Sequence, residues 1–351
     1  MGLISPLSGT ALYVCHHRPS WLTELRSSAN PWLDFLPFSE AQTLAQQLNA
    51  DLESYCATGP ALASDDAALK RLYGFGLLPL VPGAPTESLP EAVSQLATQH
   101  PHIRGVILGT HGAGLGLDDP ALEPLWAALA ETGLVVFLHP KYGIGAEAWG
   151  PRDNGHVLPL ALGFPLETTI VRLFYIAFTE TVDVLACYNI QAITRLILAG
   201  VLDRHPKLRI LIAHSGGALP QLSSRLASCI DHDPVVAGRL AHDARWYLGR
   251  LWFDAVAYGA AELEFVSEAV GRAGRYARDG TAATQLGGRK EGASRMLFGT
   301  DHPFFPPLRE TGTWRSVVEN LEAIEEVGTW TEEDKAGVRG WNALRLFRLS
   351  G

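Results

Sequence analysis

The chain has 351 residues, enough for one large α/β domain, and its 47% hydrophobic and 19% charged residues exclude a disordered chain, because burial on that scale offsets the ordering entropy of folding. A formal charge of −9 without any Lys/Arg run argues against nucleic acid or an anionic membrane as partner, since both need clustered positive charge. Cys15, Cys56, Cys187 and Cys229 lie far apart without C-x-x-C spacing, and no stretch reads as a secretory signal or reaches the roughly 18 apolar residues of a span, so a cytoplasmic protein is expected.

In chain order, short apolar runs alternate with longer amphipathic stretches, the pattern of βα units around a parallel sheet. The opening segment before Tyr73 is too short and irregular to supply two βα strands. Strands are predicted at Tyr73 to Val81, Gly105 to Thr110, Leu134 to His139, Leu208 to His214, Leu251 to Ala255 and Arg295 to Asp301. Helices are predicted between them at Leu89 to Gln99, Ala121 to Thr132, Ile193 to Asp203, Pro220 to Asp231 and Ala261 to Ala273. This is the order of a (β/α)8 TIM-like barrel forming a single domain over 1–351, with its first βα units truncated. The polar and Gly-rich stretch 275–290 reads as a mobile loop.

Polar residues recur at one place in each unit: His111, His139, His214, Asp254 and Asp301 each close or follow an apolar strand. A parallel barrel puts all such positions on one face, where barrel enzymes keep their chemistry. Asp301, in FGTDHPFF, is suited to a hard oxygen ligand or a general acid, although an Asp there would equally cap a following helix. His139 and His214 offer neutral imidazole, and imidazole with carboxylate is a donor set of catalytic zinc. No Gly-rich dinucleotide fingerprint follows a strand.

The strings SSANPWLDFLP, GVILGTHGAGLGLDDPAL, VVFLHPKYG, GHVLPLALGFPLETTI, LIAHSGGALPQL and FGTDHPFFPP resemble the aminocarboxymuconate-semialdehyde decarboxylase family of the amidohydrolase superfamily. Within it they are most similar to isoorotate (uracil-5-carboxylate) decarboxylases and to decarboxylases of 6-methylsalicylate or orsellinate type. The resemblance implies a barrel of the metal-dependent hydrolase type that releases CO2 from a small aromatic or heteroaromatic acid, in secondary metabolism or salvage. It implies metal ligation by His139 and Asp301, with Zn2+ expected and Mn2+ as the other choice. It further implies proton handling by Asp301, acid/base work by His214, substrate contacts from Asn30 and Phe304, and a homodimer.

Two departures qualify that expectation. The family opens with a strand ending in His-x-His, and this chain has none; Cys15 and His17 have the matching i, i+2 spacing and the donor types for zinc, while a surface pair in a frayed terminus is the other reading. In addition, Val171 to Gln191 stands between GFPLETTI and AITRLILAG as an insertion of the kind a retained intron leaves. The alternatives to a carboxy-lyase are a metal-dependent hydrolase of an ester, lactone or amide on the same scaffold, and a catalytically dead barrel lacking its first metal strand.

Overall fold

In the computed structural model, the described residues are 11–15, 22–26, 32–60, 69–113, 116–141, 159–169, 192–278, 289–302 and 314–349. Eight strands form one sheet in sequence order: β1 (Ala11–Cys15), β2 (Leu22–Arg26), β3 (Leu72–Gly76), β4 (Ile103–Gly109), β5 (Val135–His139), β6 (Ile210–Ile212), β7 (Trp252–Asp254) and β8 (Met296–Leu297). From β2 to β8 every neighbouring pair is parallel, and β1 pairs antiparallel with β2, Ala11 facing Arg26 and Cys15 facing Leu22. The six strands expected from the sequence are all present. The opening segment does hold two strands, contrary to expectation, but not two βα units. Residues 16–21 are too few for the dozen or more that a parallel crossover needs, so the chain folds back on itself.

Helices cover the outer face: α1 (Phe38–Ala57) between β2 and β3, α2 (Leu89–Gln99) between β3 and β4, and α3 (Glu123–Thr132) between β4 and β5. In α2 the buried positions Leu89, Val93 and Leu96 fall on one face at helical spacing, and Pro90 sits in the first turn where its missing N–H costs nothing. Beyond β5 lie α4 (Phe164–Thr169), α5 (Ala192–Leu198) and α6 (Val201–Arg204). Then α7 (Leu219–Asp231) and α8 (Pro234–Ala237) follow β6, while α9 (Ala260–Gly271) and α10 (Arg289–Ala293) join β7 to β8. The last three helices are α11 (Arg315–Glu326), α12 (Glu332–Ala336) and α13 (Asn342–Phe347).

One apolar layer fills the space between sheet and helices, with Trp126, Leu129, Val136, Ile212, Phe253 and Leu263 among its members. A second fills the interior of the curl, where Phe75, Phe137 and Leu211 pack against Leu346 and Phe347 of α13. Phe75 meets Phe137 at 5.2 Å and Phe347 edge-on at 5.6 Å between ring centroids, geometries that aromatic pairs favour. The interior is thus packed at the end where the strands begin, and their C-terminal ends are left to carry polar residues. This is a truncated barrel of the (β/α)8 type. Of the stretch 275–290, its first residues belong to a 3-10 turn at Ala273–Tyr276 and its last two open α10. The insertion at Val171 to Gln191 lies outside the described residues. Among the described residues no helix is long and apolar enough to cross a membrane.

Candidate active site

At the C-terminal ends of β5, β6 and β8 a cavity of about 540 Å3 is lined by His139, Lys141, Phe164, His214, Tyr258 and Asp301 among others. His139 is the last residue of β5 and is buried. Its Nδ1–H donates to the Pro140 carbonyl at 2.8 Å, which fixes the tautomer and leaves Nε2 as a lone-pair donor. Burial first, and then the neighbouring His214, push its pKa down to about 4, so the imidazole is neutral over the whole physiological range.

His214 follows β6, with its ring centroid 5.4 Å from that of His139. Its Nε2 stands 3.9 Å from Asp301 Oδ1, an ion-pair separation longer than a hydrogen bond. Its Nδ1 is buried without a hydrogen-bond partner among the described residues. Burial lowers its affinity for a proton, but the Asp301 carboxylate, with Asp254 and Glu167 behind it, raises it more, so the net shift is upward. For Asp301 burial acts upward, and His214 together with the Tyr258 hydroxyl outweighs it, so the net shift is downward. Each group thus favours the charged form of the other: His214 holds a proton more firmly than a free imidazole, and Asp301 releases one more readily than a free carboxyl.

The backbone that presents these groups is unusual. His214, Ser215, Gly216 and Gly217 all have positive φ, as do Tyr258 and Asp301. Each non-Gly residue in the left-handed region costs about 1 kcal/mol or more and persists where surrounding contacts enforce it. Here they are enforced by Asp254, at the end of β7. Its Oδ1 accepts from the Ser215 N–H at 2.9 Å and the Val256 N–H at 3.2 Å, and its carbonyl accepts from Ser215 Oγ at 2.9 Å. Complete burial pushes its carboxyl up to about 6. At Gly216 an added Cβ would lie 2.7 Å from the Phe253 ring, so glycine is required there for both space and φ. Asn320 of α11 holds the other turn, its Oδ1 accepting from the N–H groups of Ala257 and Tyr258. The Tyr258 hydroxyl then donates to Asp301 Oδ2 at 2.6 Å, turning Oδ1 toward His214.

Of the residues the sequence singled out, His139, His214 and Asp301 meet in this cavity, and Asp254 supports it from behind. His111 instead lines a small adjoining cleft with Trp32, Asp34 and Lys141. His17, Asn30, Phe304 and the Cys15 side chain lie outside the described residues. Three contributors were not foreseen: Tyr258, Lys141 and Glu167. Glu167, fully buried in the GFPLETT segment, accepts from Thr110 Oγ1 and from the Lys141 backbone N–H. A glutamate amid apolar residues was the available signal for it.

A catalytic metal needs about three protein donors plus an open position. Among the described residues no cluster of three or more His, Cys, Asp or Glu could hold an ion; His139 and Asp301 alone do not fit one.

The truncated barrel and its rim define the class. Residues 37–273 match the amidohydrolase family model, and the chain belongs to that family. IDCase of Metarhizium anisopliae, solved in apo form, is 39% identical with a TM-score of 0.71, over 92% of this chain and 73% of that one. The 2-amino-3-carboxymuconate-6-semialdehyde decarboxylase of Dictyostelium discoideum is 25% identical over 88% of this chain and 68% of its own. Gamma-resorcylate decarboxylase of Rhizobium radiobacter is 26% identical over 89% and 78% respectively. A 5-carboxyvanillate decarboxylase of Novosphingobium aromaticivorans, solved with manganese, shares the fold at 19% identity and a TM-score of 0.63.

Proposed function

We propose that this protein is a nonoxidative carboxy-lyase releasing CO2 from a small aromatic or heteroaromatic acid. The observation that carries the reading is the convergence of His139, His214 and Asp301 on one cavity in a chain whose relatives are named decarboxylases. Loss of CO2 from an arene carboxylate would leave a costly aryl anion, so the ring carbon is protonated first and the carbon–carbon bond breaks afterwards, its electrons restoring the ring. Asp301 is the group that delivers the proton, and His214, 3.9 Å away, is the store from which Asp301 takes it. Tyr258 keeps the delivering carboxylate in one orientation.

No step is assigned to a metal, because the described donors do not complete a site. The family resemblance supports ligation by His139 and Asp301, whereas Cys15, which has the spacing of a donor with His17, pairs with Leu22 at the start of β2, at the edge of the sheet away from that rim. Candidate substrates are 5-carboxyuracil, 6-methylsalicylate and orsellinate. Assaying all three for CO2 release, beside ester, lactone and amide hydrolysis, tests the reading. Decarboxylation of one of them supports it, and hydrolysis without CO2 release from any overturns it.

A further inference from the structure

The cavity is lined by three carboxylates, Glu262, Asp301 and Glu319, and by two imidazoles, while Lys141 is the one Lys or Arg among its described lining residues. An anionic substrate entering there meets like charge, and that repulsion grows as water is excluded. The Lys141 ammonium offsets that repulsion. Lys141 is built into place for this. Pro140 restrains the chain just before it, and its backbone N–H is tied to the buried Glu167 carboxylate at 2.8 Å. Its stem lies over the end of β4, where a Cβ at Gly109 would stand 3.5 Å from Lys141 Cδ. Its Nζ meets Asp34 Oδ2 at 2.5 Å, with 9% of the lysine side chain and 20% of the aspartate exposed.

Asp34 pairs with a largely desolvated ammonium, and an unpaired buried charge is strongly disfavoured. An ammonium carries three donor hydrogens, so it can hold Asp34 and a second carboxylate together. Lys141 lines both the main cavity and the adjoining cleft that contains Asp34.

We propose that Lys141 binds the substrate carboxylate and determines the cavity's preference for aromatic acids over neutral arenes of the same shape. The proposal rests on the reading of the cavity as an arene-carboxylate site. It separates specificity from proton transfer: Lys141 recognises the group that leaves, whereas Asp301 and His214 act on the ring carbon.

The test is calorimetric binding of 2,6-dihydroxybenzoate and of resorcinol, which differ only by the carboxylate, to wild-type protein and to Lys141→Met. Wild type is expected to favour the acid by about tenfold or more, equal to about 1.4 kcal/mol. Lys141→Met is expected to bring the two affinities within twofold while leaving resorcinol binding unchanged. Lys141→Gln, which retains a donor for Asp34, gives the same reading should the methionine variant not fold. A variant that keeps the wild-type preference overturns the role of Lys141 and leaves the decarboxylase reading standing. Wild-type protein that binds neither compound, or does not favour the acid, contradicts the arene-carboxylate reading itself, and the Lys141 proposal falls with it.

Discussion

The two ends of the sheet are built differently. Between β2 and β8 each strand is followed by a return through helix to a parallel neighbour, so every strand end is delivered to the same rim. That repetition is why His139, His214, Asp254 and Asp301, spread over more than 160 positions of the chain, lie side by side. The β1–β2 pair has no room for such a return and runs antiparallel. An antiparallel pair sends successive strand ends to opposite edges, so Cys15 at the end of β1 lies level with the start of β2 at Leu22. Rim chemistry is inherited from the βα repeat, and it is secure only where the repeat is intact.

The largest effect that would sharpen this contrast is at Asp301. Asp301→Asn keeps the shape and removes the acid, and CO2 release is expected to fall by about 10^3-fold; a fall of less than tenfold would show that the proton comes from elsewhere. Metal content tests the weaker end directly. Cys15→Ser combined with His17→Ala is expected to leave the content of zinc or manganese unchanged, measured by elemental analysis of purified protein, because Cys15 lies level with the start of β2, at the edge away from His139 and Asp301. Loss of the ion would mean that the strand pair reaches the site.

The turn behind His214 comes next. Gly216→Ala forces a side chain into the Phe253 ring at positive φ, with an expected loss of about 2 kcal/mol in denaturant unfolding, whereas a neutral result would show that the 214–217 turn is not held as described.

The smallest effect is a titration. His139 is held neutral down to about pH 4, against about 6.5 in an unfolded chain. Between those values the unfolded state binds the extra proton, so this residue's contribution to stability is lost as pH falls from 6.5 to 4. Asp254, raised to about 6, has the opposite sign: the folded state keeps its proton from about pH 4 to 6, and stability from this group declines as pH rises through that window. Melting curves would therefore mix the two. Histidine NMR separates them, and the His139 ring is expected to show no protonation at pH 5.5; a midpoint near 6.5 would contradict its burial.

Much of the rim was legible in the sequence because an apolar run ending in a single polar residue marks a buried strand and the face it reaches. The central helices were legible for the same reason, their apolar positions recurring at helical spacing. The runs ALYVC and LTELR were not, being short and mixed in polarity. Tyr258 and Lys141 were missed because their roles depend on partners 43 and 107 positions away, Asp301 and Asp34. The left-handed backbone at His214 and Asp301 was invisible too, except for the Gly216-Gly217 doublet that hints at a sharp turn.

The most direct test of the central claim follows the proton. Turnover of the accepted acid in D2O, with product examined by NMR, is predicted to place one deuterium on the carbon that lost CO2 in wild-type protein. Asp301→Asn is predicted to form labelled product about 10^3-fold more slowly. Labelled product formed by Asp301→Asn at the wild-type rate would contradict the account.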